Sequence, residues 1–147
     1  MNLVLLNRSR IRSENHGREL AEAFPEQSFT AYTADFLDLG EIEEVATEIG
    51  VQHPKIDALY NVAGILTDQR ITSAQGIEGH FAVNVVAPYL LLQKLRVPLA
   101  AGGEAGGKSV IANFSSSAIK AVKKLDVSKL VAPDEIGGLL GAYADSK

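Results

Sequence analysis

The 147-residue sequence contains no cysteine, no tryptophan and a single methionine. Without cysteine there can be no disulfide and no thiolate metal site, although the compartment stays open. No apolar run approaches the ~20 residues of a membrane-spanning helix. Met1 to Leu6 is too short for a secretory signal and carries no cleavage site. The triplets Asn7-Arg8-Ser9 and Asn113-Phe114-Ser115 then lack a secretory context and are not read as glycosylation sites. Positive charge is not in excess: 14 Lys and Arg against 18 Asp and Glu leave a net charge of -4. No stretch is strongly basic, so nucleic acid is not an expected partner. His16, His53 and His80 have no ligand spacing and read as ordinary surface or core histidines, so no metal is expected. The expectation is a soluble cytoplasmic protein of one domain, residues 1–147, with enough apolar content (46%) to bury a core.

What is present is a rhythm. Asn2-Leu3-Val4-Leu5-Leu6 is a short continuous apolar run, as in a strand buried on both faces. A segment with apolar Leu20, Ala21, Ala23 and Phe24 at helical spacing follows, stopped by Pro25. A second strand is predicted near Ser28 to Ala34, ending at Asp35. Leu39, Ile42, Val45, Ala46 and Ile49 fit the 3.6-residue period of a helix, with Gly50 as its stop. Ile56 to Tyr60 reads as a third strand running into Asn61-Val62-Ala63-Gly64, and a long helix is predicted from about Gly76 to Leu95. Val110 to Phe114 reads as a fourth strand, opening into Ser115-Ser116-Ser117. Strand and helix alternate four times, which specifies a parallel sheet with helices on both faces. Ligands of such sheets sit beyond the carboxyl ends of the strands. Here those ends carry Arg8, Asp35, the Asn61–Gly64 turn and Ser116.

Near the end of the chain Tyr143 and Lys147 lie four apart. On a helix that spacing puts phenol and ammonium on one face. A cation beside a phenol favours the phenolate, which suits a group that gives or takes a proton near neutral pH. A different motif is rejected. Gly102-Gly103-Glu104-Ala105-Gly106-Gly107-Lys108-Ser109 satisfies the phosphate-loop pattern G-x-x-x-x-G-K-[ST]. A phosphate loop follows a strand and opens a helix, aiming helix-N-terminal amides at phosphate. Here the predicted order is reversed, and the segment reads as a helix-to-strand turn.

In this order and spacing the chain resembles the short-chain dehydrogenase/reductase family. Asn61-Val62-Ala63-Gly64 is similar to the family's Asn-Asn-Ala-Gly turn, and Gly76 to Asn84 to the helix that delivers its catalytic Asn. Phe114-Ser115-Ser116 is similar to its strand-end Ser-Ser, and Tyr143 with Lys147 to its Tyr-x-x-x-Lys. The resemblance implies an α/β fold: an incomplete Rossmann-like, doubly wound parallel sheet with helices on both faces. It implies hydride transfer between NADP(H) and a small-molecule carbonyl or alcohol. Tyr143 would be the general acid/base, and Lys147 would tune it and hold the nicotinamide ribose. Ser116 would bond the substrate oxygen, and Asn84 would anchor a water in a proton relay. Asn61, Ala63 and Gly64 would line the cofactor. Arg8 stands where the family reads the adenosine ribose, and a guanidinium there suits a 2′-phosphate, favouring NADP over NAD. Asp35 would contact adenine; the alternative for it is a helix-capping carboxylate.

Two departures stand out. Val62 replaces the second Asn of the turn, and the chain between Ser116 and Tyr143 is longer than in the simplest members. The extra segment, Lys123 to Leu130, resembles that of retinol-dehydrogenase-like and protochlorophyllide-reductase-like members and hints at a bulky apolar substrate. The family's first strand with its Thr-Gly-x-x-x-Gly-x-Gly turn has no counterpart here, nor do the elements that follow the catalytic helix, which is predicted to start near Gly137. The expectation is therefore a fragment, inactive alone and binding NADP weakly or not at all. The strands at Asn2 and Ile56 would pair directly, or a homo-oligomer would fill the gap by swapping. The competing expectation is a non-enzymatic module that binds a partner protein.

Overall fold

The computed structural model describes residues 2–104, 108–127, 130–132 and 141–147. The opening apolar run forms β1 (Asn2–Asn7), after which the Ser9 hydroxyl accepts from the Arg12 amide and starts α1 (Arg10–Ala23). Phe24 closes that helix onto the Leu20 carbonyl just ahead of Pro25, as the sequence predicts. Yet α1 buries only Ser13, while Ile11 and Phe24 stay exposed. Its predicted apolar face is thus not buried by any described residue.

β2 (Ser28–Thr33) pairs in parallel with β1, from Asn2 opposite Ser28 to Asn7 opposite Thr33. Asp38 caps α2 (Leu39–Gln52), its carboxylate accepting from the Gly40 amide at 2.8 Å. Gly50 does not stop this helix. The helix ends at His53, the residue before Pro54, where the proline ring disfavours helical geometry. β3 (Ala58–Asn61) comes next, two residues later than expected. Gly76, at φ 80°, forms a turn that a side chain would strain, so the following helix starts only at Gly79. It comprises α3 (Gly79–Phe81), a π-helical turn (Ala82–Val86) and α4 (Ala87–Lys94), with α5 (Arg96–Glu104) behind it. β4 (Val110–Asn113), a 3-10 turn (Ser117–Ala121) and α6 (Gly141–Asp145) complete the described elements. The predicted helix start near Gly137 lies outside the described residues.

In the phosphate-loop-like stretch Gly102 and Gly103 lie within α5, not in a turn, and β4 is the next described element, so a helix precedes and a strand follows; residues 105–107 lie outside the described residues. A Cβ on Gly102 would overlap the Ile56 carbonyl, which explains a glycine there by packing alone. Tyr32, Ile42, Val45, Ile49, Leu91, Leu95 and Leu99 form the core, joined by Val4 and Leu6 from β1 and by Ile56 and Leu59 from the β3 side. Full burial of such a side chain stabilises the fold by about 1.5–3 kcal/mol. α1 packs on β1 and β2 without entering this core.

The strands do not form one sheet. β1 pairs with β2 and β3 pairs with β4, with Ala58 opposite Val110 and Asn61 opposite Asn113. Direct pairing of β1 with β3 was expected and is not found among the described residues. Its absence leaves backbone donors and acceptors unpaired along strand edges. For the same reason the strands are less buried than their apolar runs predict: β1 is half-buried, and Val110 and Ile111 of β4 are exposed.

Candidate active site

The site grows from the end of β3. Past Asn61 the chain turns through Val62, Ala63 and Gly64, and the Asn84 side chain fastens that turn. Its Oδ1 accepts from the Ile65 amide at 2.9 Å, and its Nδ2 donates to the Ile65 carbonyl at 3.2 Å. The second Nδ2 hydrogen goes to Ser146 Oγ at 2.9 Å. Ser146 is buried and donates onward to the Tyr143 carbonyl at 2.8 Å. One amide thus ties the β3 turn to the segment that carries Tyr143 and Lys147. Asn84 sits in the π-helical turn, a distortion that recurs at functional sites.

Lys147 reaches the same place. Its Nζ lies 5.6 Å from the Tyr143 ring centroid, within cation–π range, and donates to the Phe114 carbonyl at 3.4 Å. The Ser115 hydroxyl holds the Lys147 carbonyl at 2.8 Å. Gly64 lies close by: a Cβ on it would stand 3.0 Å from Lys147 Nζ and 3.1 Å from Asn84 Oδ1, so those side chains would have to give way. Four sequence-selected residues therefore meet: Gly64, Asn84, Tyr143 and Lys147.

The others stand further out. Ser116 caps the 3-10 turn, its Oγ accepting from the Ala118 amide at 3.2 Å, and α6 packs on that turn. No hydrogen bond joins Ser116 to Tyr143 among the described residues. The Asn61 amide donates across the strand pair to Asn113 Oδ1 at 2.8 Å, and Ala63 is exposed. Arg8 is exposed beyond β1. Asp35, beyond β2, accepts from the Leu37 amide at 3.0 Å, and the helix cap is Asp38 instead.

Two partners of this site escape the sequence reading. His80 is 1% exposed and Glu78 is buried beside it, with Nδ1 to Oε1 at 2.8 Å. The Thr67 amide donates to His80 Nε2 at 3.1 Å, so Nε2 carries the lone pair and Nδ1 the proton. The His80 ring meets the Tyr143 ring edge-on, centroids 6.3 Å apart at 68°. Histidine spacing suited to metals could not reveal this, whereas Glu-x-His at a helix start could have. Ser146, inside the Tyr-x-x-x-Lys window, was the other omission.

Known proteins bear on this arrangement. A protein of Streptomyces sp. (strain C5), provisionally named a daunorubicin C-13 ketoreductase, is 35% identical over 72 residues, 49% of this chain and 25% of that protein. The oxidoreductase fscI of Fusarium equiseti is 26% identical over 117 residues, 79% of this chain and 45% of its own length. The chain thus spans less than half the length of the curated relatives it matches. A metagenomic short-chain oxidoreductase solved with NADP superposes with a TM-score of 0.68 at 26% identity, over 99% of this chain and 58% of that one. These likenesses give the molecule an α/β, Rossmann-like fold with a partial sheet. The model of the short chain dehydrogenase family matches residues 1–125. That match spans most of the chain, and the protein belongs to the short-chain dehydrogenase family of oxidoreductases.

Proposed function

We propose that this chain carries the proton-transfer half of a site that moves hydride between NADP(H) and a carbonyl or alcohol. The observation that carries the reading is the meeting of Asn84, Gly64, Tyr143 and Lys147 from three distant stretches of sequence. Beside Gly64 the Lys147 ammonium and the Asn84 side-chain oxygen lie together, a donor and an acceptor that suit a ribose hydroxyl. Arg8 is exposed beyond β1, whereas Arg10 is engaged by Glu14 at 2.8 Å. That leaves Arg8 to clamp a 2′-phosphate. Two structural neighbours were solved with NADP and NADPH, in keeping with this choice.

When bound, the nicotinamide supplies or accepts hydride. The rest falls to the chain. Tyr143 gives its phenolic proton to the carbonyl oxygen as an alcohol forms, and takes a proton from the alcohol in the reverse direction. The Ser116 hydroxyl orients that oxygen, and Lys147 holds the ribose beside the phenol. Asn84 has both side-chain amide hydrogens engaged, so its side chain can hold a relay water only through the second lone pair of Oδ1.

Among the described residues none of the strand-to-helix turns carries a Gly-rich phosphate cradle, so binding by the 147-residue chain is expected to be weak. The test is a titration with NADPH and NADH followed by amide NMR, with a panel of ketones and aldehydes assayed alongside. NADPH should perturb Gly64, Lys147 and Arg8, NADH should leave Arg8 unmoved, and any turnover should vanish in Y143F. Perturbations that avoid Gly64 and Lys147 would refute the reading. A partner-binding module is the second reading. It is favoured by the exposure of Tyr60, Val110 and Phe114 on and beside the β3–β4 pair, and the mass of complexes captured by the purified chain tests it.

A further inference from the structure

We infer that His80 is a positioning residue for Tyr143, held in its own orientation by Glu78 and the Thr67 amide; this rests on the reading of Tyr143 as the acid/base. The ring sits almost wholly out of solvent, and both nitrogens are engaged on opposite sides. Two hydrogen bonds at opposed positions fix an imidazole against rotation as well as translation. Glu78 is fixed in turn: its other carboxylate oxygen accepts from the Phe81 amide at 2.8 Å, and its own amide donates to the Val131 carbonyl at 2.7 Å. The ring that results presents a rigid edge to Tyr143. Lys147 also contacts the phenol ring, whereas Ser146 holds only the Tyr143 backbone.

An aromatic edge contact adds stabilisation beyond burial and favours one ring orientation over others. The same imidazole holds the Thr67 amide, so the turn after β3 and the phenol are set from one buried group.

Two variants separate the parts. H80Q keeps an acceptor for Thr67 and a donor for Glu78 but removes the ring, whereas H80F keeps the ring and removes both nitrogens. The readout is the set of NOEs from the Tyr143 ring to the Lys147 side chain in tyrosine-labelled protein, with Y143F identifying the signals. The NOEs should be lost in H80Q and retained in H80F. Where the wild type reduces a carbonyl, kcat should fall about 10- to 100-fold in H80Q with KM for the cofactor unchanged, as expected for a reacting group displaced by about an ångström. NOEs that persist in H80Q, or that vanish equally in H80F, would overturn the inference. Should H80F fail to fold, H80Q alone decides. A wild type without turnover would sink the proposed reaction, and the NOE comparison would still judge His80.

Discussion

Replacing Asn84 tests whether one amide joins the two halves of the site. N84A removes an acceptor for the Ile65 amide and donors to the Ile65 carbonyl and to Ser146 Oγ. Each such bond contributes about 0.5–1.5 kcal/mol net, and Asn84 is half-buried, so water can replace part of what is lost. The expected destabilisation is about 1–3 kcal/mol. N84D is the sharper probe because it keeps shape and volume. Its carboxylate still accepts from Ile65, but it sets an oxygen against the Ile65 carbonyl where a donor stood. Ser146 could turn its proton to that oxygen only by releasing the Tyr143 carbonyl. N84D should therefore destabilise about as much as N84A, and α6 amides should exchange faster in both. Equilibrium urea unfolding gives the first quantity, as a fall in midpoint at constant slope, and hydrogen exchange gives the second. An N84D protein with wild-type midpoint and α6 protection would refute the reasoning, because the donor role of the amide would then be immaterial.

Two further outcomes follow from packing and charge. In an open helix Gly102→Ala would stabilise by about 0.8–1 kcal/mol through helix propensity. Because the Cβ would meet the Ile56 carbonyl and lie 3.0 Å from the Asp57 nitrogen, overpacking of about 1–3 kcal/mol should win and lower the melting temperature by several degrees. A rise in thermal melting would show that α5 does not press on the β3 approach. Asp38 has its carboxyl held below the usual range by the Gln75 side-chain hydrogen bond first and the Gly40 amide second. A folded-state value lower than the unfolded one adds stability above the unfolded pKa of about 3.9 that disappears as pH falls through the folded value. The advantage of wild type over D38N in thermal melts should be level from neutral to mildly acid pH and shrink below about pH 4. A gap that stays constant into strong acid would remove the charge from the account.

The linear order of residues was enough for much of this protein. Apolar runs ending in turn residues located all four strands, because a strand needs only local continuity and a polar stop. Pro25 bounded α1 for a reason internal to its own backbone. The reversed order around Gly102 was legible from the neighbouring elements alone, and so was the spacing of Tyr143 and Lys147. Folding decided the rest. Whether β1 and β3 share hydrogen bonds depends on what lies between their edges, which neither strand encodes. Gly50 looked like a stop and lies inside α2, since the helix ends where Pro54 constrains His53. The tie between Asn84 and Ser146 spans 62 residues. The burial of His80 against Tyr143 likewise needs three segments to arrive together. Local pattern dictates which residues can do chemistry, but only packing brings donor and acceptor partners together at one imidazole or one amide, because hydrogen bonds depend on separations in space that sequence distance does not specify.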